Sequence, residues 1–104
     1  MTMAKSIYRA TESFPRAEMF GLVAQMRRAA VSIASNIAEG QARFSRRDFQ
    51  HFLRIARGSL AELETQVLLA ESLGYLTGDT ARDLLAQCDE LGRVLAGLIA
   101  SLPV

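Results

Sequence analysis

Apolar positions recur at helical spacing along most of this chain. Leu22, Met26, Ala30, Ile33 and Ile37 fall on one face of a helix turning 100° per residue. Gln25, Arg28, Ser32, Asn36 and Glu39 form a narrow polar stripe beside that face. An amphipathic helix needs only the first stripe, so the second predicts a polar seam that sets register or partner choice. The cleanest heptad follows, with Phe49, Leu53, Ala56, Leu60, Leu63, Val67 and Ala70 spaced 4-3-4-3-4-3. Leu84, Cys88, Leu91, Leu95, Leu98 and Leu102 repeat that spacing near the end of the chain. No alternating segment of useful length appears, so no strand is expected.

The breaks between these patterns set the element boundaries. A short first helix is predicted over about residues 3–13, anchored by Ile7 and Tyr8 and ended by the Ser13-Phe14-Pro15 step. Pro15 suits the first turn of the second helix. That helix is expected to run to Glu39, interrupted by Gly21, and to stop on Gly40 as a left-handed cap. Ser45 with Asp48 resembles a capping box for helix three, which should end near Gly74 after about 43 Å. Thr77 to Thr80 supplies a turn and a cap for helix four. Three long helices on short loops, with the short one on the remaining side, predict an all-α, antiparallel up-down four-helix bundle with a shortened first helix. The 104 residues make one domain, 1–104.

Charge adds geography. The net charge of +1 divides into +6 over residues 1–57 and −5 over residues 58–104. Antiparallel packing gathers Arg43, Arg46 and Arg47 at the second connection, with Arg54 further along helix three. Glu71, Asp79 and Asp83 fall at the opposite end, and Arg27 and Arg28 near mid-bundle. Eleven of the twelve basic residues are arginine, whose planar fork suits phosphates and carboxylates. No apolar run approaches the ~20 residues of a membrane span, and the N-terminus lacks the apolar middle of a secretory signal. The lone Cys88 suits a reducing compartment, so a cytoplasmic protein without membrane attachment is expected.

FPRAEMFG, QMRRAAVSIASNIAEG, FLRIARGSLAELETQ and LGYLT occur in this order. Together they closely resemble the small bacterial four-helix-bundle family first noticed in intervening sequences of 23S ribosomal RNA genes. The resemblance covers Lys5 to Leu102, and the pairing of SNIAEG with ARGSLAELET is its most specific part. It implies a four-helix protomer that assembles as a homo-oligomer, a ring-like pentamer, with no defined biochemical role. A relative, the accessory protein of diversity-generating retroelements, works with a reverse transcriptase and nucleic acid. Two departures stand out. Relatives carry about three more turns at the start of the first helix, so part of a groove should lie uncovered here. Many relatives also have proline where Ala34 stands, and alanine should leave this helix straighter.

The candidate chemistry is sparse. Arg43, Arg46, Arg47 and Arg54, with Arg27 and Arg28, are the candidate contacts to RNA or DNA phosphates. Phe44 within that run is expected to plug the bundle end, with stacking on a base as the alternative reading. Gln25, Arg28, Ser32, Asn36 and Glu39, with Arg57, Glu62 and Glu64 of helix three, are the candidate polar seam or protomer interface. Gly58 predicts a close approach of another backbone, and Arg57 with Glu64 an ion-pair seam. Asp48 and His51 have carboxylate-x-x-histidine spacing, but one histidine cannot build a di-iron bundle site within one protomer. Ser32, Ser35 and Asn36 imitate nucleophile motifs only superficially, with no histidine or lysine positioned to activate a serine. The expectation is therefore a non-enzyme without metal or cofactor. It either binds nucleic acid through its arginine-rich end, or is a structural or protein-binding module whose arginines serve contacts between protomers.

Overall fold

The computed structural model describes residues 2–102 as four α-helices, with no strand among the described residues. They are α1 (Thr2–Thr11), α2 (Leu22–Gln41), α3 (Arg46–Ser72) and α4 (Gly78–Ala100), with a one-turn 3-10 helix at Arg16–Glu18. α2 packs antiparallel on α3: Gly40 lies against Phe49 and Phe52, and about two turns earlier on α2 Ser32 meets Ser59, further along α3, at 2.9 Å. α4 returns along α3, with Gln50 Nε2 donating to the carbonyls of Ile99 and Leu102. α1 lies against both α2 and α4, where Ser6 donates to Gln87 at 3.2 Å. This is the up-down bundle, 44 × 23 × 18 Å, its long axis set by α3.

The core follows the α3 heptad closely and the α4 heptad in part: Leu84, Cys88 and Leu95 are buried, Leu91, Leu98 and Leu102 are half-buried, and Ala81 and Ile99, outside that heptad, are buried. Leu53, Ala56, Leu60, Leu63, Val67 and Ala70 of α3 are buried, and Phe49 half-buried. Ala81, Leu84, Cys88, Leu95 and Ile99 of α4 meet them, with Leu22, Met26, Ala30 and Ile33 of α2 and Ile7 of α1. The heptad thus states which stripe is removed from water, and burial of that stripe supplies most of the driving force.

Local signals stop the helices where they fall, with two corrections. Ser45 accepts from the Asp48 N–H at 3.0 Å and Thr77 from the Thr80 N–H at 3.2 Å, so both expected caps form. Gly74 has φ +79, and the Tyr75 N–H bonds the Ala70 carbonyl, which closes α3 as a left-handed cap. Gly40 does not do the same for α2, because the helix runs through it to Gln41. A Cβ on Gly40 would stand 2.9 Å from Phe49 Cδ1 and 3.0 Å from Phe52 Cβ, so this glycine admits α3 to close contact. Residues 15–21 also depart from one continuous second helix. Arg16–Glu18 form a single 3-10 turn, and Gly21, at φ −106 and ψ −107, breaks the path before Leu22.

α1 is pinned at its C-terminal end. Thr11 Oγ1 donates to the Ile7 carbonyl at 2.7 Å and accepts from Arg27 Nε at 3.0 Å. The Arg27 guanidinium also lies 4.5 Å from the centre of the Tyr8 ring and bonds the Tyr8 carbonyl. Beyond its N-terminal turn, an open groove of about 420 Å³ continues between α2 and α4, reaching Ile37 and Val94. That is the uncovered groove expected from a ten-residue first helix lying against a twenty-residue second one. α2 continues without interruption through Ala34.

Candidate nucleic-acid interface

The connection between α2 and α3 is four residues long, Ala42 to Ser45, and it projects from one end of the bundle. Ser45 is fixed by its cap and Arg43 follows the last turn of α2, so the backbone that carries the arginines beside them is held in place. Arg43 pairs with Glu39 and lies with its guanidinium 5.0 Å from the centre of the Phe52 ring. Arg46, Arg47 and Arg54 are exposed, and none makes an ion pair among the described residues. His51, edge-on to Phe52, is exposed on the same stretch of α3. From Arg43 to Arg57 the chain holds five arginines against Asp48 alone. The structure thus brings Arg43, Arg46 and Arg47 to one end, with Arg54 along the adjoining turns, and leaves three guanidinium groups open to an incoming anion.

The opposite charges of the two halves of the chain do not pair with each other across the bundle among the described residues. The ion pairs among the described residues are Arg43–Glu39, Arg82–Asp79 and Arg93–Asp89, each three or four residues apart along one stretch of chain. Exposed pairs of this kind contribute about 0–1 kcal/mol.

The polar stripe of α2 divides into separate groups. Ser32 meets Ser59, and Asn36 Nδ2 donates back to the Ser32 carbonyl at 2.8 Å and to Ser32 Oγ at 3.0 Å. Asn36 therefore braces its own helix rather than bridging to α3. Gln25 and Arg28 are exposed, and Glu39 belongs to the arginine end. Arg27 lies with α1, away from the α2–α3 connection. The Arg57–Glu64 seam does not form within the protomer. Arg57 is exposed, and Glu62 accepts from Gln66 instead. The close approach expected at Gly58 is also absent, since a Cβ there would meet nothing within 4 Å. That glycine faces solvent in the protomer.

Two features escaped the sequence reading. Phe44 does not plug the bundle end; its ring is fully exposed, at 108 % of the reference value. The heptad count carried no information about it, because it sits in a connection between periodic segments. Phe20, 93 % exposed, and Met19 stand out from the irregular turn before α2. With Tyr8, Arg28 and Val31 they line a shallow groove of about 700 Å³. The apolar pair in FPRAEMFG was the available signal, and reading that segment as helix hid it.

Cys88 is wholly buried on α4, as its heptad position requires. Burial pushes its thiol up from 9.0 to about 11, and the charge of Glu64 adds to the effect. Near pH 8 the folded protein should therefore hold about 100-fold less thiolate than an ordinary thiol would. Alkylation by iodoacetamide is expected to be slowed by at least that factor, and restored in denaturant. Rapid labelling of the native protein would contradict this placement. Because the folded pKa is raised, this thiol's contribution to stability is complete below 9.0 and declines as pH rises toward about 11. At the far end of the bundle the Tyr75 hydroxyl donates to Glu18 at 2.8 Å, a bond that holds its phenol above its ordinary pKa. That contact joins the 3-10 turn to the connection between α3 and α4. Among the described residues no group of three or more His, Cys, Asp or Glu side chains is placed to hold a metal ion, and no helix is long and apolar enough to cross a membrane.

Comparison with known protein families matches residues 1–97 to the 23S rRNA-intervening sequence protein family, and the chain belongs to that family. No curated protein matches it.

Proposed function

We propose that this family member is a non-enzymatic, cytoplasmic scaffold, assembled as a homo-oligomer, that holds RNA or DNA at its arginine-rich end. The observation that carries the reading is the exposure of Arg46, Arg47 and Arg54 at one end of the bundle without a carboxylate partner. Unneutralised guanidinium groups on a rigid helix end bind phosphates by releasing counterions, a term that needs no base contact and falls steeply with salt. Assembly is supported by the exposed apolar strip of Tyr8, Met19, Phe20 and Val31, which a free protomer would leave in water. A ring of five, as the family resemblance implies, would repeat the arginine group five times and turn weak sites into a strong one.

The experiment is a titration of labelled oligonucleotides at several salt concentrations, with native mass spectrometry giving the stoichiometry. Each phosphate contact adds about 0.7 to the salt slope on single strands and about 0.9 on duplex DNA. Replacing Arg46, Arg47 and Arg54 together by glutamine should lower the slope by about 2–3. Affinity should fall at least ~10-fold with the fold intact. A slope near zero for the unmodified protein would refute nucleic-acid binding, and a native mass of one protomer would refute assembly.

The second reading, a structural or protein-binding module, is favoured by Phe20 and by the exposed Leu68 and Leu69 in the last turns of α3, with Leu73 just past its end. On that reading the glutamine variants change the oligomeric mass and leave nothing else to change.

A further inference from the structure

At the arginine-rich end, Phe44 occupies a position whose ordinary use is known. Ser45 is the N-cap of α3, so Phe44 is the residue before the cap and Phe49 is the fourth helical residue. An apolar pair at those two positions normally closes into a hydrophobic staple that fixes how the chain enters the helix. Here Phe44 stays fully exposed although Phe49 is half-buried nearby. Both rings line one open cleft of about 380 Å³, with Gly40 and Leu98 also contributing and Arg43 and Arg46 beside them. A planar apolar face, an apolar recess next to it and guanidinium groups at the edge form the combination a nucleotide presents in reverse.

We infer that this cleft takes an unpaired base of a single nucleic-acid strand. The base stacks on Phe44 over the recess lined by Phe49 and Leu98, and its flanking phosphates lie on Arg46 and Arg47. This rests on the nucleic-acid reading above and narrows it from any phosphate backbone to a strand with free bases. A duplex keeps its base faces stacked inside and meets the arginines alone, whereas a single strand meets the arginines and the ring. Aromatic stacking platforms within basic grooves have this effect because every base has a π face.

The test uses the full chain. It contains no tryptophan, so Phe44→Trp makes residue 44 the sole indole emitter. Single-stranded RNA and DNA of about 16 nucleotides, enough to fill a typical site, and a duplex of the same length are titrated in. Single strands should quench the indole at saturation, and the duplex should not. Quenching by either single strand supports the proposal and identifies the sugar it accepts. In the otherwise unmodified chain, Phe44→Ala should weaken single-strand binding about 5- to 100-fold with an unchanged salt slope and melting temperature. Duplex binding should stay the same. Salt-dependent single-strand binding without quenching, or with full affinity in Phe44→Ala, would overturn this inference and leave the arginine reading intact. A Phe44→Ala variant that melts lower with unchanged affinity would show a closed staple and also overturn it. No salt-dependent binding by the native protein overturns the arginine reading itself.

Discussion

Leu63→Ala is expected to destabilise the protein by about 2–5 kcal/mol, through lost burial together with the cavity left behind. Leu63 lies about two-thirds of the way along α3, wholly closed to solvent, in the same core as Met26, Val67 and Cys88. α2 and α4 flank α3 on two sides, and each hairpin is tied by its cap and by contacts at its ends. The walls of the new cavity can therefore relax only partly. A domain of this size commonly has 5–15 kcal/mol in total, so a central value of about 3 kcal/mol removes a large share. The melting temperature should drop by roughly 12–24 °C. Far-UV circular dichroism during urea and thermal unfolding measures this, with variant and native chain at equal protomer concentration because assembly links stability to concentration. A loss below about 1 kcal/mol would mean that the α3 heptad does not form the packed centre.

That centre was legible in the residues because its signal is repeated. Six of the seven α3 heptad positions are buried and Phe49 is half-buried, so a misplaced residue anywhere would have broken the run. The caps at Ser45 and Thr77 were legible for a different reason, being local chemistry between residues three apart. What escaped depended on partners far along the chain. Gly40 and Gly58 look alike in sequence, yet the close approach expected at Gly58 is made by Gly40, and the left-handed cap expected at Gly40 is formed by neither. Gly40 admits the Phe49 and Phe52 side chains rather than capping a helix, and Gly58 admits nothing within the protomer. Arg27 looked like one of a pair with Arg28, yet only Arg27 faces Thr11 and Tyr8. The arginine end was legible as a gathering of charge. The exposure of Phe44 was not, because a four-residue connection has no periodicity from which a direction can be read.

The two glycines give the second large effect, as a contrast in sign. Gly40→Val should destabilise the protein by about 3 kcal/mol, the upper range for forcing volume into a packed contact. Its Cβ would begin 2.9 Å from Phe49 Cδ1, 3.0 Å from Phe52 Cβ and 3.3 Å from the Phe49 carbonyl oxygen. One obstacle is backbone and another is a Cβ, and neither can swing aside as the tip of a flexible side chain can. The α2–α3 hairpin must part at its closed end. Gly58→Ala meets no such obstacle on α3, so it should stabilise by about 0.5–1 kcal/mol through helix propensity. Stabilisation by both substitutions would show that α2 and α3 do not approach closely at Gly40. The consequence reaches the candidate site, because Gly40 also lines the cleft between Phe44 and Phe49. Parting the hairpin there moves α3's first turn, and with it Arg46 and Arg47, relative to Arg43 just past the end of α2. Gly40→Val should therefore weaken oligonucleotide binding even under conditions where the variant is still folded. Gly58→Ala, four residues beyond Arg54, should leave binding as it is.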